Sequence, residues 1–324
     1  MTPDVASRRS ALVTVSVVIP IKDGRAYLGD ALRTALGQEG VNVECIVVDD
    51  GSRDHPEEII DELSPTSGAA VTFIKNVTNR GRSYSRNVGA AAASGDVLAF
   101  LDADDRYRPG HLKGVAEALA DHPGCIYTFP AFIDHAGTPC VAGNVLRGSP
   151  EELVIAGRIP YTSGIALSRV CWGQLGGFDC YLEEREDWDL FLRALRNGVA
   201  LALDERRTVE VRRHEGNNSA NSERFLRNTF IVARRAAHVA TLMPPRTAQA
   251  AVAQMHLGIA EACSSRPCGW ADKLAGIASG LAAVRTNPAL VTNREWLMPM
   301  AKLLLPMDMY RRCRRRSGAY AARD

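Results

Sequence analysis

The sequence predicts a doubly wound α/β domain followed by a helical extension, and three observations predict it. Between about residues 14 and 130, strand-like and helix-like segments alternate. The strand-like runs are apolar throughout, not at every second position, as strands covered on both faces of a parallel sheet are. Acidic residues gather where those runs end, and in repeated β-α-β units the ligand lies beyond the carboxyl ends of the strands.

The elements follow in order. Val15 to Ile19 forms the first strand and runs out into Pro20-Ile21-Lys22-Asp23. Leu28, Leu32, Ala35 and Leu36 then make one apolar helical stripe. Val43 to Val48 is the second strand, ending in Asp49-Asp50-Gly51-Ser52. Pro56-Glu57-Glu58 opens a helix, with proline in its first turn and acids at the positive dipole end. Val71 to Ile74, Val97 to Leu101 and Cys125 to Phe129 are further strands, with helices over Gly81 to Ala93 and Pro109 to Ala120 between them. Beyond residue 130 the pattern is mixed: Ile165 to Leu167 is a short strand and Gly176-Gly177-Phe178-Asp179 a turn. Trp188, Phe191, Leu192 and Leu195 mark one inward helix face, leaving Glu186, Asp187 and Asp189 on its other sides. After about residue 224 the chain reads as helical. An apolar stretch from Trp296 to Tyr310, broken by Pro299 and Pro306, leads into the arginines of 311–316.

Composition bounds the function. With 324 residues, 46% hydrophobic and 23% charged, the chain is globular in character and long enough for one large domain or two ordinary ones. A net charge of +2 and 6% aromatics give no reason to expect nucleic acid as a partner. Eight scattered cysteines without a CxxC pair fit reduced, mostly buried thiols, as in a cytoplasmic protein. Arg8-Arg9 and the apolar stretch behind it read as the lead-in to the first strand, because no small-residue cleavage site follows. No run approaches the length of a membrane span.

Three short motifs carry chemistry. Asp102-Ala103-Asp104 follows a buried strand, and two residues apart in extended chain both carboxylates leave one face. Neighbouring carboxylates repel unless a cation lies between them, and hard oxygen donors favour Mg²⁺ or Mn²⁺ over zinc. A solvated acidic turn is the plainer reading of such a pair alone. In Asp49-Asp50-Gly51-Ser52 a carboxylate can accept from a nucleobase N–H or a ribose hydroxyl, although Asp and Ser also cap helices and make turns. No GxGxxG or P-loop follows the first strand, which disfavours dinucleotides and Walker-type phosphate transfer. Glu186-Asp187 opens a helix, where an acid serves as a cap or dipole partner or, more sharply, as the general base for a hydroxyl nucleophile.

Taken in order, Pro20, Val48-Asp49-Asp50-Gly51-Ser52-x-Asp54, Arg86-Asn87-x-Gly89, Gly95-Asp96, Phe100 to Asp105, Gly176 to Asp179 and Glu186-Asp187-x-Asp189-Leu190 form a specific set. The set resembles the family 2 inverting glycosyltransferases of GT-A fold, over about residues 14 to 220. The resemblance implies an N-terminal tail over 1–13, a catalytic domain over 14–222 and a helical region over 223–324. Within the domain, about 14–130 would bind nucleotide and about 131–222 would face the acceptor.

Residue by residue, the resemblance implies a nucleotide-sugar site of Pro20, Lys22, Asp23, Asp49 or Asp50, Arg86, Asp102 and Ala103. It implies metal ligands in Asp102, Asp104 (the likelier direct ligand) and His214, and a catalytic base in Asp187. Gly177, Phe178 and Glu186 fall on the acceptor side. Where many members read Pro-x-Tyr-Asn, this chain reads Pro20-Ile21-Lys22-Asp23, so the aromatic that could stack on the base is absent. Lys22 could meet the diphosphate instead and Asp23 the ribose. Arg212 and Arg213 could be a solvated face.

The implied activity is inverting transfer of a sugar from a nucleotide diphosphate donor, a UDP-sugar first, to an acceptor hydroxyl, with Mg²⁺ or Mn²⁺. The implied acceptor is a glycan or lipid-linked glycan of cell-surface polysaccharide or glycoconjugate synthesis. A non-catalytic sugar-nucleotide binder and a metal-dependent phosphatase are the rival readings. The basic helical tail suits peripheral contact with the inner face of the cell membrane, or equally a solvated helix end.

Overall fold

The computed structural model describes residues 12–304 except 68–70, 122–123, 129–130, 140–147, 159–160, 214–221, 266–269 and 293. It divides into two compact units, one of residues 1–146 and 159–217, the other of 147–158 and 218–324.

The first unit opens with β1 (Thr14–Ile21), α1 (Arg25–Leu36), β2 (Asn42–Asp49), α2 (Glu57–Ser67) and β3 (Val71–Lys75). It continues with α3 (Arg82–Ala92), β4 (Val97–Phe100), β5 (Arg106–Tyr107), α4 (His111–Asp121), β6 (Cys125–Thr128) and β7 (Ala131–Ile133). Every strand and helix expected before residue 130 is present. Strands β3, β2, β1 and β4 run parallel in that order. Val15, Val17, Val18, Ile19, Val47, Val48, Leu98 and Phe100 are buried, which is why these runs do not alternate. Leu28, Ala31, Leu32 and Ala35 of α1 close one face of the sheet.

The sheet departs from a purely parallel one at its centre. β8 (Ile165–Ser168) lies between β4 and β6, antiparallel to both, and β9 (Leu201–Asp204) extends the sheet beyond β6. A second sheet is formed by β5, β10 (Val209–Arg212) and β7. Between β8 and β9 stand α6 (Arg169–Leu175) and α7 (Glu186–Arg196).

α3 sits close on the sheet because of Gly89. A Cβ there would lie 2.4 Å from Val18 Cγ1 and 3.2 Å from Val48 Cγ2. Overpacking of a filled core costs about 1–3 kcal/mol. Gly89→Ala should therefore lower the urea midpoint without changing the m-value, and an unchanged midpoint would refute this close approach.

The second unit holds α5 (Pro150–Ile155) with α8 (Ser222–Ala240), α9 (Pro245–Ser265), α10 (Trp270–Thr286) and α11 (Arg294–Leu304). The sequence reading ran one domain continuously through residues 131–222, whereas 147–158 group with the helices. Leu153, Val154 and Ile155 are buried, and their short helix packs on α8 and α9. Pro299 also behaves differently from expectation, since α11 continues through it. Met300 and Leu303 are buried and α11 packs on α9 and α10, so tertiary contacts offset the one lost backbone hydrogen bond. The rest of the basic tail lies outside the described residues. Among the described residues, no helix is long and apolar enough to cross a membrane.

Candidate functional site

Parallel β1, β2 and β4 deliver three acidic segments to one edge of the sheet, and the structure separates their roles. Asp49 and Asp50 are both buried, yet they differ in what they bind. Asp50 Oδ1 accepts from Asn76 Nδ2 at 2.9 Å and from the Arg80 N–H at 2.8 Å, and its Oδ2 accepts from the Gly81 N–H at 2.8 Å. These bonds hold the loop entering α3, so Asp50 is a structural acceptor. Asp49 Oδ1 accepts from the Ser52 N–H at 2.8 Å, while its Oδ2 is buried without a hydrogen bond, 3.7 Å from Lys75 Nζ. An orphaned buried carboxylate oxygen calls for a donor from outside the chain. Of the two acids that the sequence left open, Asp49 is the one with capacity to spare.

The first strand's exit is clipped to the second's. Asp23, in the left-handed region at φ 51°, donates its N–H to Ser52 Oγ and accepts the Arg53 N–H at Oδ1. Arg25 N–H donates to Asp54 Oδ2 at 2.8 Å. Pro20 is half-buried and Lys22 is exposed at this rim.

Asp102 to Asp105 are tied from two sides. Ser163 Oγ accepts the Asp102 N–H at 3.0 Å and donates to Asp105. Arg212 N–H donates to Asp105 Oδ1, and Arg212 Nε donates to the Asp104 carbonyl, both at 2.9 Å. Arg212 also donates to the His135 carbonyl at 2.7 Å and is 2% exposed, which corrects its reading as a solvated residue; Arg213 beside it is exposed. Burial, with the charges of Asp104 and Asp102, pushes the Asp105 carboxyl well above its ordinary range. Ala103 is buried and packs into the main core, turning the acids on either side of it outward from that core. His214 lies outside the described residues.

Arg86 joins this segment to α7. Its guanidinium, 1% exposed, donates to Asp102 Oδ1 at 2.6 Å and to Glu186 Oε1 at 2.7 Å. Burial raises the Asp102 pKa, but the Arg86 charge and hydrogen bond outweigh it and hold that carboxyl below its usual range. Glu186 and Asp189 are 3% and 1% exposed, so both are interior, contrary to the placement expected from helical periodicity alone. Glu186 is neutralised by Arg86, and Asp189 by Arg193 Nε at 2.8 Å. Glu186, Gly177 and Phe178, which the resemblance puts on the acceptor side, are all buried. Phe178 packs edge-on against Phe100 and Trp172 and under Arg86, at 5.5 Å from ring centroid to guanidinium carbon. Gly177, at φ 80°, leaves room for Asn87, whose Oδ1 would lie 2.7 Å from any Cβ there.

Asp187 stands apart. It is partly buried, and its Oδ1 accepts its own helix's Trp188 N–H at 2.7 Å. Burial first, then the Glu186 charge, push its pKa up to about 7, against the opposing pull of Arg185, the Trp188 N–H and Arg86. A carboxyl poised near neutrality is suited to take a proton from a hydroxyl.

Among the described residues, no group of three or more His, Cys, Asp or Glu side chains is arranged to hold a metal by itself. Asp102 and Asp104 supply two hard oxygen donors beside the buried Asp105. Such a pair fits a Mg²⁺ or Mn²⁺ ion that completes its shell with phosphate and water, and does not fit a structural zinc site.

Residues 16–144 match the family model described as glycosyl transferase family 2. These residues form a family 2 glycosyltransferase domain. The match covers β1 to β7, including the acids at the ends of β1, β2 and β4. An uncharacterized glycosyltransferase of Haemophilus influenzae is 30% identical over 187 residues, 56% of this chain and 62% of that protein. The chain spans 62%, 32% and 36% of the lengths of three curated relatives it matches. TarS of S. aureus has a TM-score of 0.61 at 17% identity, covering 96% of this chain and 94% of that one. The mannosyltransferase PcManGT of Pyrobaculum calidifontis, solved with GDP-Man and Mn²⁺, has a TM-score of 0.57 at 17% identity, covering 96% and 89%. At these identities the likeness shows the GT-A fold.

Ser163, Arg212 and Asn87 carry roles that spacing did not reveal. The sequence holds one trace of them: Asn87 stands in the Arg86-Asn87-x-Gly89 run.

Proposed function

We propose that the chain is an inverting glycosyltransferase that moves a sugar from a nucleotide diphosphate sugar, a UDP-sugar, to an acceptor hydroxyl. The catalytic domain in this reading is residues 14–222 without 147–158, which group with the helices. The observation that carries the reading is one buried arginine linking the strand-end acid Asp102 to the helix start that bears Asp187, whose pKa is about 7. Such an arrangement places a donor-side acid and a neutral-pH base in one network, which a sugar-nucleotide binder without catalysis does not need.

In this reading Asp49 Oδ2 accepts the imide N–H of the base, and the Asp23–Ser52 clip shapes the ribose side. Asp187 takes the proton of the acceptor hydroxyl as that oxygen attacks the anomeric carbon from the face opposite the leaving diphosphate. The new C–O bond forms as the bond to the diphosphate breaks, and a single displacement inverts the configuration. Asp102 and Asp104, with His214 as a further candidate, would hold a divalent cation, which when bound offsets the charge developing on the leaving group. The acceptor proposed is a glycan or lipid-linked glycan.

A thermal-shift screen with UDP-, GDP- and dTDP-sugars in Mn²⁺ tests the donor. Saturation at a hundred times Kd stabilises the native state by about 2.7 kcal/mol, so binding raises Tm by a readable amount. UDP-sugars should give the largest shift, and Asp49→Asn, which keeps the Ser52 acceptor but turns the orphan oxygen into a donor, should weaken that response about tenfold or more. A screen in which no sugar nucleotide shifts Tm would overturn the reading. An unchanged response in Asp49→Asn would remove Asp49 from the donor site.

A further inference from the structure

One face of α3 holds the whole segment that leads into the Asp187 helix. Asn87 grips Phe178 at both backbone groups, accepting its N–H at 2.8 Å and donating to its carbonyl at 2.9 Å. Ser83 Oγ donates to the Leu182 carbonyl at 2.9 Å, and Arg82 pairs with Glu184 at 3.5 Å. Arg86 then takes Glu186 at the first residue of α7. Positions 82, 83, 86 and 87 share a helix face by the i, i+4 rule. They bind the segment in order, from Phe178 through to Glu186.

The start of α7 has no cap of its own. Its N-cap residue, Arg185, sits at φ 67° and makes no side-chain cap bond. Within the helix the Arg185 carbonyl accepts the Asp189 N–H, and α3 adds the Arg86–Glu186 contact from outside it. The same arginine reaches Asp102, so a single side chain sets the distance between the two ends of the site. A guanidinium can do this with two forked nitrogens where an ammonium cannot. Its Nε is buried without a hydrogen bond.

We propose that Arg86 is a positioning residue, not a donor contact: it fixes the Asp187 helix start against Asp102, with Arg82, Ser83 and Asn87 completing the cradle. This rests on the reading of Asp187 as base. The sequence resemblance had put Arg86 in the donor site. Its buried guanidinium is committed to two carboxylates instead, which leaves it little to offer a diphosphate.

The test compares R86Q, R86K and E186Q with the wild type. UDP affinity is measured by calorimetry in Mn²⁺, and turnover by hydrolysis of whichever UDP-, GDP- or dTDP-glucose stabilises the wild type most. Misplacement of a base by about 1 Å costs on the order of 100-fold in rate. R86Q should lose about that much turnover with UDP affinity kept within about threefold, and R86K should recover part of the loss. The charged groups around Asp187 are Arg185 and Glu186 on its own helix and Arg86 from α3. The acid limb of the pH–rate profile should therefore move up in R86Q, where a cation is lost, and down in E186Q, where an anion is lost. A merely structural role would lower the active fraction and leave the limb in place.

A loss confined to UDP affinity, or unchanged turnover, would overturn the proposal. If R86Q does not fold, E186Q decides by the same comparison. A wild type that hydrolyses none of the donors sinks the reading of function itself, whereas an active wild type with unaffected variants sinks only the role of Arg86.

Discussion

Asp187→Asn should abolish transfer while donor binding survives. General acid–base catalysis contributes about 10²–10⁴-fold, so the loss should fall near 10³-fold, or roughly 4 kcal/mol of barrier. The substitution keeps the shape and the Trp188 N–H acceptor but cannot take a proton. Measured kcat with unchanged UDP affinity is the expected pattern. Near-normal turnover would show that another group is the base.

The same carboxyl fixes the pH dependence, and two signs follow from its pKa of about 7. As a base it works only when unprotonated, so turnover should rise with pH through about 7 and fall roughly tenfold per unit below it. Stability runs the other way. A carboxyl whose folded pKa lies above its unfolded value favours folding fully at pH below the unfolded value, near 3.8, and loses that contribution as pH rises through about 7. Asp187→Asn should therefore have a higher Tm than the wild type at pH 8 and lose that advantage towards pH 4. Equal Tm values at both pH values would mean that Asp187 is not desolvated.

Chelation is the second large effect expected. EDTA should stop turnover and Mn²⁺ or Mg²⁺ should restore it, because in the proposed reaction the diphosphate would leave without a proton donor and a cation would meet its charge. Asp104→Asn should reproduce the loss at low metal and recover in part at high Mn²⁺, since one of the proposed ligands would be weakened. The thermal response to UDP should become metal-independent in the double variant Asp102→Asn/Asp104→Asn. Full activity in chelator would take these two acids out of metal binding.

How much of this was legible in the sequence depends on the range of the forces involved. The four parallel strands and their helices could be read because continuous apolar runs and 3.6-residue stripes are local consequences of burial. The acids at the strand ends could be read for the same reason: each sits where an apolar run stops, and topology brings parallel ends together. Asp187 was legible only through its motif, because burial, the largest cause of its raised pKa, is set by the fold and not by the residues beside it.

Other features rest on partners far away in the chain. Glu186 and Asp189 looked exposed by periodicity, yet Arg86 lies a hundred residues earlier and Arg193 one turn later. Asp49 and Asp50 are adjacent and chemically alike. Their roles separate because the Asn76–Gly81 loop happens to spend every oxygen of one and leave an oxygen of the other. The antiparallel β8 and the transfer of residues 147–158 to the helical unit depend on which surface each short segment finds.

What the amino-acid order determined alone was the layered α/β frame, the edge where acids collect and the residue types available there. What only the tertiary structure decided was which of those acids are already satisfied and which remain open to a ligand. The reason is that burial patterns are written in nearest-neighbour periodicity, whereas the charge state of a carboxylate is set by whichever cation or N–H the fold brings within about 3 Å.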